Sequence, residues 1–192
     1  MTKERLEAFS DGVIAILITI MVLELKVPEG AEPAALKGVL PAFLGYVLSF
    51  VYLGIYWVNH HHMLRMTDRI NGKILWANLH LLFWLSLVPF VTNWMGENNF
   101  TPLPTSIYGV VLLAAAIAYT ILQATIIRQE GPGSKLKSAV GSDLKGKLSI
   151  LFYLAGIFLA FVHPLIADAF YVTVALMWRK ARAGEERLAP GS

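Results

Sequence analysis

Six apolar runs, separated by short polar punctuation, make up most of this chain: residues 4–26, 35–64, 72–95, 105–128, 144–162 and 165–179. An α-helix rises about 1.5 Å per residue, so about 20 mostly apolar residues cross the hydrocarbon of a bilayer. The sequence is 56% hydrophobic and 15% charged, against roughly 45–50% and about 25% in soluble domains. That surplus calls for lipid rather than for a core. Pro28, Glu29 and Gly30 close the first run, and Asp68 to Gly72 separate the second from the third. Asn98, Asn99, Pro102 and Pro104 form the next turn, Gly131 to Ser134 open the longest polar loop, and His163-Pro164 divides the final pair. Those last two runs are short for full spans. Residues 1–180 therefore read as one transmembrane domain and 181–192 as a polar C-terminal tail. No cleavable signal peptide is expected, because the first apolar run carries Glu24 and Lys26 and has no small-residue cleavage site.

Orientation follows from the basic residues. With the N-terminus in the cytosol, the inner segments hold Lys3, Arg5, Arg65, Arg69, Lys73, Arg128, Lys135, Lys137, Lys145, Lys147, Arg179, Lys180, Arg182 and Arg187. The outer segments hold Lys26 and Lys37, so the division is fourteen against two. Cytoplasmic connections carry such an excess, and the expectation is an all-α integral membrane protein with six transmembrane helices and both termini cytoplasmic. A pI above neutrality then reflects topology and calls for no nucleic acid.

Catalytic and metal motifs are weak. There are no cysteines, which excludes disulfides and thiolate metal sites. Gly141 to Lys147 reads G-x-x-x-x-G-K, but Leu148 stands where a phosphate-binding loop needs Ser or Thr. Asn99-Phe100-Thr101 matches a glycosylation sequon that matters only in a eukaryotic secretory pathway. His60-His61-His62 are consecutive, about 100° apart on a helix, and cannot converge on one ion. The reading is an interfacial cluster with one member hydrogen-bonded inside the bundle, and His80 is likewise read as a bundle-facing polar residue. The five tryptophans read as interface anchors and packing. No enzyme, no resident cofactor and no metal site is expected.

The first run differs from a plain lipid anchor. Arg5 and Asp11 stand at its cytosolic end, with Ser10 and Gly12 beside the aspartate. Ionisable groups at membrane depth are expensive, so they face protein or water. Beyond them Gly12, Ile16, Thr19/Ile20 and Leu23 fall on one side of a 3.6-residue helix.

Arg5-x-x-x-Phe9-Ser10-Asp11 resembles the R-x-x-x-F-S-D signature that opens the repeat of the transmembrane protein 175 family of potassium channels. Trp57-x-x-His60 is similar to that family's second-helix pattern, and Trp76-x-Asn78-Leu79 with Val88-Pro89-Phe90 to its third. The length matches the bacterial branch, with a single six-span repeat. The resemblance implies a homotetrameric cation channel in the plasma membrane, in which the first helices of four subunits line a central pore and potassium permeates. It places the pore-lining and gate positions on Ile16, Thr19, Ile20 and Leu23, and a helix-clasp network on Arg5, Phe9, Ser10, Asp11, Trp57, His60 and Asn78.

Physical consequences follow from such a pore. Carbonyls of intact helices are already bonded and cannot replace a hydration shell, so selection falls to a narrow apolar ring assisted by the Thr19 hydroxyls. Rings of Ile16 and Leu23 would gate by dewetting. Asp11 lies roughly 140° from the stripe, and is expected to pack sideways against His60 or neighbouring-helix groups. Four copies of Glu24 would form an outer acidic vestibule. The rival readings are an ion-coupled secondary transporter, which favours inverted repeats that are absent here, and a proton-conducting channel.

Overall fold

The computed structural model describes residues 2–185, and these form helices and turns. In chain order they are α1 (Lys3–Leu23), α2 (Leu36–Arg65), α3 (Gly72–Ser86), α4 (Val88–Glu97), α5 (Pro102–Glu130), α6 (Lys135–Val140), α7 (Leu144–Leu159) and α8 (Pro164–Glu185). Local chemistry sets their ends. Thr2 caps α1 by accepting from Arg5 N, Asn71 caps α3 by accepting from Ile74 N at 2.9 Å, and Asp143 caps α7 through Gly146 N. Gly131, at φ +73°, ends α5 in a conformation that only glycine adopts without strain.

Among the described residues, four segments are long and apolar enough to cross a membrane: Lys3–Leu23, Pro33–Arg65, Gly72–Glu97 and Pro102–Gly133. The third is not the continuous helix expected over 72–95, because it breaks at Leu87. Pro89 has no N–H to give Leu85, and its ring clashes with that carbonyl, so the chain restarts as α4. The last two expected runs match α7, which is 16 residues long, and α8. The loop expected after residue 131 contains the short α6. Of the tail placed at 181–192, residues 181–185 continue α8 and the rest lies outside the described residues.

Successive long helices run antiparallel, so the elements share two ends. At one end Lys3 Nζ donates to Arg65 O at 2.9 Å, Asp68 N to Glu130 Oε1 at 3.0 Å and Gln129 to Arg69 O at 2.6 Å. At the other, Lys26 pairs with Glu97 at 2.8 Å, and Asn93 donates to Glu24. α5 is the central post, with α3 and α7 packed along it, and α1 lies against α2, α3 and α4.

The interior is closed by small residues and by polar bridges. A Cβ on Gly96 would lie 2.5 Å from the Ala42 Cα, so α4 and α2 meet backbone to backbone. Gly109 and Gly156 make room for the Tyr171 ring between α5 and α7. Thr92 gives its proton to Val88 O at 2.7 Å, so it accepts from Ser49 at 2.6 Å, and Ser49 accepts in turn from Tyr108 at 3.0 Å. This fully buried chain ties α2, α4 and α5 together at a depth where an unmatched hydroxyl is costly.

Candidate functional site: the outward face of the first helix

α1 has two opposed faces. Leu6, Ser10, Ile14, Leu17 and Met21 are buried against the other helices. Arg5, Phe9, Gly12, Ile16, Thr19 and Leu23 are exposed, at alternating spacings of four and three. Such a face repeats every seven residues, the pattern of a seam between helices. Its apolar members are large: Ile16 is 61% and Leu23 82% exposed. Ile20, expected beside Thr19, is half-buried at the edge of this face.

Thr19 donates its hydroxyl proton to its own helix, with the carbonyls of Ala15 and Ile16 each at 3.0 Å. The oxygen lone pairs are thereby left pointing off the helix. A hydroxyl tied in this way presents only acceptor character to whatever faces it.

The buried face is held by a directed hydrogen-bond chain. Ser10 Oγ lies 2.9 Å from Leu6 O, which can only accept, so the serine proton points there. Asn78 Nδ2 therefore donates to Ser10 Oγ at 3.0 Å. The amide oxygen of Asn78 then faces His60 at 2.6 Å, so Nε2 of His60 carries the proton. All three side chains are fully buried and join α1, α2 and α3. Nδ1 of His60 is left buried without a hydrogen-bond partner among the described residues.

Of the two kinds of partner expected for Asp11, it is a neighbouring-helix group other than His60 that holds it. Its Oδ1 accepts from Trp57 Nε1 at 3.0 Å, one turn of α2 earlier. Arg5 and Phe9, grouped with the clasp in the sequence, lie instead on the outward stripe, because each sits one position from a buried residue and is turned about 100° from it. The other histidines separate. His61 meets Glu7 at 2.7 Å, and His62 is exposed. His80 is exposed as well, not facing the bundle, and accepts from Trp84 on its own helix at 3.0 Å. Its neighbours Ala77, Asn78, Leu81 and Leu82 take the inward positions of α3.

Glu24 caps the far end of α1, exposed and bonded to Asn93 of α4 at 3.3 Å. The nearby Lys26 is engaged by Glu97, whose hydrogen bond and charge raise the pKa of the ammonium group. Its positive charge is thus matched by a carboxylate other than Glu24.

Long apolar helices bridged by buried polar chains define an all-helical, multi-pass membrane protein. A family model described as "Endosomal/lysosomal potassium channel TMEM175" matches residues 5–89, which span α1, α2, α3 and the start of α4. A protein of Chryseobacterium sp. (strain P1-3) named a potassium channel is 59% identical over 178 residues, 93% of each chain. The Homo sapiens protein named endosomal/lysosomal proton channel TMEM175 is 40% identical over 89 residues, covering 38% of this chain and 18% of that one. The crystal structure of a lysosomal potassium-selective channel TMEM175 homolog from Chamaesiphon minutus superposes with a TM-score of 0.80 at 27% identity, over 93% of this chain and 97% of that one. This chain belongs to the TMEM175 family of potassium channels.

Proposed function

We propose that four copies of this chain form a potassium-permeable channel of the plasma membrane, with both termini cytoplasmic, α7 and α8 as the fifth and sixth spans, and α1 of each subunit lining the pore. The observation that carries this reading is the outward face of α1. A charged Arg5, a glycine and the Thr19 oxygen share that face, a poor surface to present to lipid. Its seven-residue repeat suits association with the same face of neighbouring copies.

Ions moving along such a pore would meet Ile16, Thr19 and Leu23 in turn. Backbone carbonyls in the body of α1 are spent on the helix, so between Ile16 and Thr19 an ion has the Thr19 hydroxyl oxygens to exchange for lost water. Potassium gives up its shell more cheaply than sodium, and a modest preference for potassium follows. The isoleucine and leucine rings would close the path by excluding water.

Purified protein in liposomes, loaded with potassium and diluted into a potassium-free medium, tests the reading. Rapid flux that exceeds carrier turnover supports a channel; slow, saturable flux coupled to a second ion supports a transporter. Proton permeation is the second reading, favoured by the name of the human relative. A pH-sensitive dye inside the same liposomes, with no potassium gradient, separates the two.

A further inference from the structure

Glu7, Asp11 and His61 each present one ligand atom, and the three atoms lie within 4.8 Å of one another. Glu7 and Asp11 stand one turn apart on the α1 face turned toward α2, and His61 reaches them from α2. The geometry points to a binding site for a single divalent transition-metal ion of the zinc type, held by two carboxylates of α1 and one imidazole of α2.

Three observations support it. Two carboxylates at positions i and i+4 repel each other, and a shared cation relieves that repulsion. Oε1 of Glu7 lies only 2.7 Å from Nδ1 of His61, yet that nitrogen is buried and makes no hydrogen bond of acceptable geometry among the described residues. A cation placed between them would give both atoms a partner. Finally, Asp11 uses Oδ1 to accept from Trp57, which orients the carboxylate as an outer partner orients a metal ligand.

The donor set selects the ion. Zinc accepts imidazole and carboxylate together at about 2.0–2.2 Å and leaves a fourth position to water. Ligand atoms less than 5 Å apart need only small side-chain rotations to close on it. Magnesium and calcium take oxygen ligands, so the imidazole nitrogen of His61 favours zinc over both. An ion here would bridge α1 to α2 beside the Ser10–Asn78–His60 chain and fix the rotation of α1 about its own axis.

The test is zinc binding by the purified full-length protein, read by competition with a chromophoric chelator. We expect one zinc ion per chain, with magnesium and calcium failing to compete. Glu7→Gln and His61→Asn should each weaken binding by at least about 100-fold, beyond the range typical of losing an outer partner. His62→Asn and His80→Asn should leave it unchanged. X-ray absorption should show one imidazole and otherwise oxygen around the metal. Glu7→Gln keeps side-chain shape, so it carries the test if His61→Asn fails to assemble. Binding unaltered by Glu7→Gln, or a shell containing two imidazoles, would overturn the assignment.

Discussion

The Trp57 indole N–H donates to Oδ1 of Asp11 at 3.0 Å, which turns the signature carboxylate toward α2 and away from the exposed stripe of α1. An acidic residue at this depth invites the idea of a site for the permeant ion, but its bond to Trp57 holds it off the stripe of Ile16, Thr19 and Leu23. Asp11→Asn retains an oxygen acceptor for Trp57, so it should assemble and keep its potassium-to-sodium permeability ratio. Asp11→Ala removes the acceptor and should reduce the yield of assembled channel on size-exclusion chromatography. An Asp11→Asn channel that assembles normally but loses cation selectivity would reverse these roles.

Asn78 is the middle link between His60 and Ser10. Asn78→Leu should leave two buried polar partners unmatched, at a cost of about 1–3 kcal/mol for each. Thermal unfolding in detergent measures it. Adding His60→Phe to Asn78→Leu should cost less than the sum of the two single changes, because both break the same bond.

Thr19 supplies the polar atom on the middle of the outward face. Thr19→Ala should lower the potassium-to-sodium permeability ratio while preserving conduction. Reversal potentials under bi-ionic conditions read this directly, and an unchanged potential would remove Thr19 from selection.

Where α2 and α4 touch at Ala42 and Gly96, nothing flexible can yield. Gly96→Ala should destabilise the fold by about 1–3 kcal/mol through overpacking, seen as a lower midpoint of thermal unfolding. Gly12→Ala meets nothing within 4 Å in the single chain and should leave subunit stability unaffected.

Glu24 faces solvent at the far end of α1 while the charge of Lys26 is matched by Glu97. Glu24→Gln should therefore reduce potassium conductance at 0.01 M salt and have little effect at 1 M. The screening length falls from about 30 Å to about 3 Å over that range.

The long apolar runs and the signature were readable because each is a property of consecutive residues. Pro89 was visible, but a span read by hydropathy runs straight through it; the break at Leu87 comes from one missing N–H and one clash. The partner of Asp11 was not readable. Trp57 and His60 lie three residues apart on α2, and only the packed rotation of α1 decides which of them the carboxylate meets. His80 faces outward because its helical neighbours take the inward positions. The grouping of Glu7, Asp11 and His61 joins two helices, so no local spacing announces it.

Cysteine accessibility along α1 tests the pore assignment most directly, because the native chain contains no cysteine. Ile16→Cys, Thr19→Cys and Leu23→Cys would be treated during recording with a charged, water-soluble thiol reagent, beside Phe83→Cys on the exposed side of α3. Current should fall at Thr19→Cys and Leu23→Cys, Ile16→Cys should react only while the channel is open, and Phe83→Cys should be unaffected. Steady current through fully modified Thr19→Cys and Leu23→Cys channels would contradict a pore lined by α1.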